Sequence, residues 1–113
     1  MLPTVLIVDD HPAYRAAART LLEAEGYTVI GESSTGSAAL EDAALLQPAL
    51  VLLDIGLPDI DGIEVASRLC GLERAPMVVL VSSRDAAGYE NVCGARGFIP
   101  KAELCGDAIA ALT

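Results

Sequence analysis

Three carboxylates stand at the ends of apolar runs in this sequence. Asp9 and Asp10 follow Val5–Val8, and Asp54 follows Leu50–Leu53. Ser82 and Ser83 follow Met77–Val81, and Lys101 follows Gly97-Phe98-Ile99-Pro100. Three acids brought together repel, and one is forced to hold its proton unless a cation sits among them. Hard carboxylate oxygens suit Mg²⁺, which takes a few protein ligands and keeps several waters. With an ammonium and a hydroxyl alongside, such a set can handle a phosphoryl group. Cation and ammonium neutralise its oxygens, and a carboxylate can attack the phosphorus. Lys101 is the single lysine of the chain; the other basic residues are arginines.

Residues so far apart meet only if the fold gathers strand ends. Thr4-Val5-Leu6-Ile7-Val8 is a β-branched run of the kind buried on both faces of a sheet. Pro12 suits the first turn of a helix. Tyr14, Ala17, Ala18, Leu21 and Leu22 follow at helical spacing, and Gly26 suits a stop. A second strand is expected over Tyr27–Glu32. Ser37 is expected to cap a helix running to about Leu46, before Pro48. Leu50–Leu53 is a third strand. Gly62 opens a helix whose apolar side is Ile63, Ala66 and Leu69/Cys70. Met77–Val81 is a fourth strand, 85–93 a short helix weakened by Gly88, and Gly97–Ile99 a fifth strand. Leu104, Ala108, Ile109 and Leu112 mark a short last helix. This is a (βα)₅ pattern, hence α/β with an open parallel sheet and helices on both faces. A closed barrel would need eight such units. In a parallel sheet every C-terminal strand end lies along one edge, where ligands bind.

At 113 residues the chain is expected to be one domain. Its hydrophobic fraction of 53% suffices for a core, and its net charge of −9 argues against binding nucleic acid or an anionic membrane through its own surface. No apolar run approaches a membrane span, and Met1–Thr4 shows no signal peptide, so the expected location is the cytoplasm. Cys70, Cys93 and Cys105 are odd in number and lack CxxC spacing, which reads as three unbridged thiols. His11 and the acids Asp59 and Asp61 are read as local structure and solvated loop residues, with His11 turned away from Asp10.

Four motifs, in order and at strand ends, carry a resemblance over nearly the whole chain. They are Val5-Leu6-Ile7-Val8-Asp9-Asp10-His11-Pro12, Leu52-Leu53-Asp54-Ile55-Gly56-Leu57-Pro58-Asp59-Ile60-Asp61-Gly62, Val81-Ser82-Ser83 and Gly97-Phe98-Ile99-Pro100-Lys101. Together they resemble the receiver domain of bacterial two-component response regulators, most closely the nitrate-regulator subfamily with LuxR-type output. The resemblance implies a flavodoxin-like doubly wound sheet of strand order 2-1-3-4-5. It implies that Asp54 is the phosphoacceptor, fed by a phosphohistidine on a sensor histidine kinase. Asp10 would ligate Mg²⁺ directly, Asp9 through a water, and Gly56 through its backbone carbonyl. Lys101 would pair with the phosphoryl oxygens. Ser82 would be the switch hydroxyl and Phe98 the switch aromatic. The domain would be a signalling module rather than an enzyme, dimerising when phosphorylated.

The match has departures. Ala102 follows Lys101 where many receivers have proline, and Ser82 and Lys101 are 19 positions apart, fewer than usual. Gly56 and Arg84 hold positions that tune phosphoryl lifetime in the family. The DNA-binding output of the resembled subfamily is expected to be absent from residues 1–113, which would be a receiver cut from a longer regulator. The alternative is a stand-alone or phosphorylation-independent receiver acting as a protein-interaction scaffold. A flavin carrier on the same fold would need a Ser/Thr/Gly loop after the first strand, where Asp9-Asp10-His11-Pro12 stands. A haloacid-dehalogenase-type phosphatase would want Asp-x-Asp there and a longer chain.

Overall fold

The computed structural model describes residues 2–82 and 95–113. Five strands form one sheet: β1 (Thr4–Val8), β2 (Thr28–Ser33), β3 (Leu50–Asp54), β4 (Met77–Ser82) and β5 (Ala95–Pro100). Their order is β2-β1-β3-β4-β5, and every neighbouring pair is parallel. The helices are α1 (Pro12–Ala24), α2 (Gly36–Leu46), α3 (Gly62–Cys70) and, after a 3₁₀ turn over Lys101–Glu103, α4 (Gly106–Leu112). The expected helix at 85–93, with Ser83, Arg84 and Cys93, lies outside the described residues.

Alternation along the strands builds two cores, because successive side chains of a strand leave opposite faces. Val5 and Ile7 join Leu50, Leu52, Val79, Val81 and Ile99 on the side of α1 and α4. Leu6 and Val8 join Val51, Leu53, Val78 and Leu80 on the side of α2 and α3. The β1, β3 and β4 residues in both sets are at most 1% exposed, so these strands read as continuous apolar runs. The same parity carries Asp9, Asp54 and Lys101 to the α1 side of the sheet edge. Phe98 packs against the α2–α3 core.

Several helix starts differ from expectation. Thr35, not Ser37, caps α2, its hydroxyl accepting from Ala38 N at 3.1 Å. Asp59 is not a solvated loop acid. Its carboxylate accepts from Gly36 N at 2.8 Å and Ser37 N at 3.0 Å, which ties the β3–α3 loop to the start of α2. Asp61 caps α3 by accepting from Ile63 N at 2.8 Å. In each case an acceptor satisfies helix N–H groups that have no intrahelical partner. Ser37 loses to Thr35 because tertiary packing starts the helix at Gly36 and leaves the cap position one residue earlier.

The backbone N–H groups of Gly36 and Ser37 hold the Asp59 carboxyl down from 3.8 to about 2. A group with a depressed folded pKa stabilises fully above its unfolded value and loses that contribution as the pH falls through the folded one. Asp59→Ala is therefore expected to lower the thermal midpoint at pH 7, with the gap to wild type closing between about pH 4 and pH 2. Paired melts across that range check it.

Gly62 is required by a close approach of two backbones. A Cβ there would run into Ile55 Cα and stand 2.9 Å from the Asp54 carbonyl oxygen. Neither is the end of a flexible side chain, so the loop after β3 would have to move. Gly62→Ala is expected to cost about 2 kcal/mol in denaturant melts, within the range for overpacking.

Cys105 is a free thiol, and Cys93 lies outside the described residues. All peptide bonds of the described residues are trans, including Lys101–Ala102. No helix among the described residues is long and apolar enough to cross a membrane.

Candidate functional site

Asp9 and Asp10 leave the sheet where β1 ends, Asp54 is the last residue of β3, and Lys101 follows the last residue of β5. These ends adjoin because β1 pairs with β3, β3 with β4 and β4 with β5. Ligand atoms of Asp9, Asp10, His11 and Asp54 all lie within 4.8 Å of one another. The sheet order therefore assembles the three predicted carboxylates into one pocket.

Asp9 is fully buried and Asp54 is 3% exposed. Burying two carboxylates is costly unless charge and hydrogen bonds compensate. Lys101 supplies the charge: its Nζ lies 2.6 Å from Asp9 Oδ2 and 3.3 Å from Asp54 Oδ2. Burial alone would lower the Lys101 pKa. The hydrogen bond to Asp9 and the charges of Asp54 and Asp9 outweigh it, and the ammonium is held above its ordinary value. Asp54 Oδ1 accepts from Gly56 N at 3.1 Å. Arg15 steadies the β1–α1 turn by donating to the Asp9 carbonyl oxygen at 2.6 Å.

His11 does not turn away from Asp10. Its Nδ1 lies 3.0 Å from both Asp9 Oδ1 and Asp10 Oδ1, and its backbone N–H donates to Asp9 Oδ1 at 2.8 Å. The chain leaves the strand at Asp9, so strand alternation no longer governs residue 11. The ring nitrogen's hydrogen-bond contact is with Asp9 Oδ1, and Asp10 Oδ1 is buried without a hydrogen bond among the described residues. A buried carboxylate oxygen without a donor, beside two further carboxylates, fits a hard cation bound through oxygen. Asp9, Asp10 and Asp54 are the residues that could hold one.

Ser82 ends β4 buried, one position beyond the residue that pairs with Asp54, and sits opposite Pro100. Phe98 is half-buried and pairs with Leu80. Ser82 and Phe98 thus share the β4–β5 edge, three or fewer residues from the strand ends that carry the pocket.

One neighbour of the pocket escaped the sequence reading. Tyr14, taken only as part of the apolar face of α1, lies under the ammonium, with Lys101 Nζ 4.6 Å from its ring centroid. Burial, then the charges of Asp9 and Asp54, push its hydroxyl up to about 12. The available signal was its position in the first turn of the helix that directly follows Asp9-Asp10, which must lie over the strand ends.

Comparison with known proteins agrees with this geometry. Residues 5–112 match the family described as the response regulator receiver domain. A transcriptional regulator of Pseudomonas aeruginosa is 45% identical over 102 residues, covering 88% of this chain and 49% of that protein. The virulence-factor transcription regulator BvgA of Bordetella pertussis is 42% identical over 106 residues, covering 91% and 51%. The chain thus spans about half the length of these curated relatives. The signal receiver domain of the response regulator NarL from Mycobacterium tuberculosis superposes with a TM-score of 0.85 at 30% identity, covering 97% of this chain and 95% of that one. Those relatives are regulators rather than enzymes. With the sheet order, the pocket at its edge and a match over residues 5–112, the chain belongs to the response regulator receiver domain family.

Proposed function

We propose that this domain is a phosphorylation-dependent switch in which Asp54 accepts a phosphoryl group from a sensor histidine kinase. The observation that carries the reading is the pairing of Asp54 Oδ2 with the Lys101 ammonium at 3.3 Å, beside the carboxylates of Asp9 and Asp10. Asp54 supplies the nucleophile: a carboxylate oxygen attacks phosphorus, the N–P bond of the donor phosphohistidine breaks, and the imidazole leaves. Asp10, Asp54 and the Gly56 carbonyl would hold Mg²⁺ directly, and Asp9 through a water. Mg²⁺ supplies charge neutralisation of the phosphoryl oxygens when bound. Lys101 is positioned to leave Asp9 and Asp54 for a phosphoryl oxygen, since its flexible stem and three donors allow the exchange. Ser82 then binds the phosphoryl group as the switch hydroxyl, and Phe98 relays the change along β5. The modification biases an equilibrium between two conformations, and the active one dimerises.

The relatives are named as transcription regulators and this chain covers about half of each. We infer that residues 1–113 are the receiver part of a regulator whose DNA contact lies in other residues, in keeping with the net charge of −9. A cytoplasmic location follows from the same reading.

The test is incubation with acetyl phosphate, with Mg²⁺ or with EDTA. The expected result is a gain in intact mass that needs Mg²⁺, maps to the peptide carrying Asp54 and is removed by hydroxylamine, as an acyl phosphate is. Absence of the gain in Mg²⁺ would favour the scaffold alternative. Ser82→Ala is expected to preserve uptake while weakening phosphorylation-dependent dimerisation, read by light scattering.

A further inference from the structure

Lys101 is held on three sides. Asp9 Oδ2 and Asp54 Oδ2 take two of them, at 2.6 and 3.3 Å. The face of the Tyr14 ring takes the third, with its centroid 4.6 Å from Nζ. That separation is within the range at which an ammonium is attracted to the negative face of an aromatic ring. The ring itself is anchored, because Tyr14 packs against the core cluster on the α1–α4 side of the sheet. Its hydroxyl is buried and has no hydrogen-bond partner among the described residues. The contact with the ammonium is therefore made by the aromatic face and not by the hydroxyl.

We propose that Tyr14 is a positioning residue for Lys101: its ring confines the ammonium over Asp54, and the ordering is carried by the aromatic face, not the hydroxyl. The inference rests on the phosphoacceptor reading only for its consequence in phosphoryl transfer. The contact itself stands apart from that reading. A lysine stem has four rotatable bonds, and without a third wall the ammonium exchanges among rotamers that reach solvent. Transfer to Asp54 then waits on the fraction of time the cation is in place.

Because the chain has a single lysine, isotope-labelled lysine gives one side-chain spin system, that of Lys101. In the 113-residue chain its ε-methylene protons are expected upfield of free lysine, shifted by the Tyr14 ring. Tyr14→Phe should keep that shift and the wild-type rate of acetyl phosphate uptake, with equal or greater thermal stability. Tyr14→Leu and Tyr14→Met should bring the ε-methylene signal to the free-lysine position and slow uptake roughly tenfold. Two non-aromatic variants keep the test open if one fails to fold, as judged from backbone amide spectra. Wild-type shifts and rate in a folded non-aromatic variant would overturn the proposal. So would loss of both in Tyr14→Phe. Should wild type itself take up no phosphoryl group, the lysine shift still decides the contact, and only the phosphoacceptor reading fails.

Discussion

Asp54→Asn is expected to abolish phosphoryl uptake from acetyl phosphate, leaving the intact mass unchanged in Mg²⁺. The substitution is close to isosteric, and an amide is a far poorer nucleophile than a carboxylate. The Gly56 N–H that donates to Asp54 Oδ1 at 3.1 Å can still bond an amide oxygen. The fold should therefore survive. Two carboxylates within 4.8 Å of one another repel by about 3 kcal/mol at an effective dielectric constant of 20. Removing one relieves that repulsion, while Lys101 keeps Asp9 at 2.6 Å. The thermal midpoint in EDTA should accordingly stay at or above the wild-type value. Mg²⁺ should stabilise the variant much less than wild type, since one of three acidic ligands is gone and stabilisation follows binding. Residual uptake, mapped to another acid, would reject Asp54 as the acceptor. Differential scanning calorimetry with and without Mg²⁺ separates the chemical effect from the structural one.

Lys101→Ala should act on stability first. Asp9 and Asp54 have side chains 1% and 4% exposed, and both lose the ammonium that offsets their charge. Breaking a buried ion pair by deleting one partner leaves an uncompensated charge and typically costs about 3–5 kcal/mol. Protonation of one carboxyl can limit that loss, so about 3 kcal/mol at neutral pH is expected in EDTA, or on the order of 10 °C in thermal midpoint. Mg²⁺ should restore more stability to this variant than to wild type, because the cation no longer competes with an ammonium for Asp9 and Asp54. Phosphoryl uptake should fall roughly 10²-fold, as for the loss of one preorganised donor from a site of developing charge. A stable variant indifferent to Mg²⁺ would contradict the arrangement of charges described for the pocket.

Much of the architecture was legible because the relevant signals are local. The runs Val5–Val8, Leu50–Leu53 and Met77–Val81 are apolar at every position, which only a strand covered on both faces tolerates. Gly26, at φ +97°, ends α1 as expected. Asp9, Asp10, Asp54 and Lys101 were identifiable as a group because parallel strands share one C-terminal edge. Most of what was not legible depended on contacts across the sequence. Asp59 looked like a loop acid because its partners, Gly36 and Ser37, are more than twenty residues away. Tyr14 looked like core because nothing near it in sequence announces a lysine 87 positions on. His11 was misplaced because strand alternation was extended past the residue where the strand ends.

The sequence by itself determined which residues could do chemistry and that they would share one edge, since residue type and strand period need no tertiary information. The tertiary structure decided how that chemistry is held. It placed one ammonium between two buried carboxylates and laid a tyrosine ring against it. It turned a histidine back onto both leading acids and anchored the loop after Asp54 to a distant helix. Apart from the local turn of the histidine, these depend on packing distances of a few ångströms between segments that the chain order keeps apart, and charge interactions in a buried pocket vary steeply over that range.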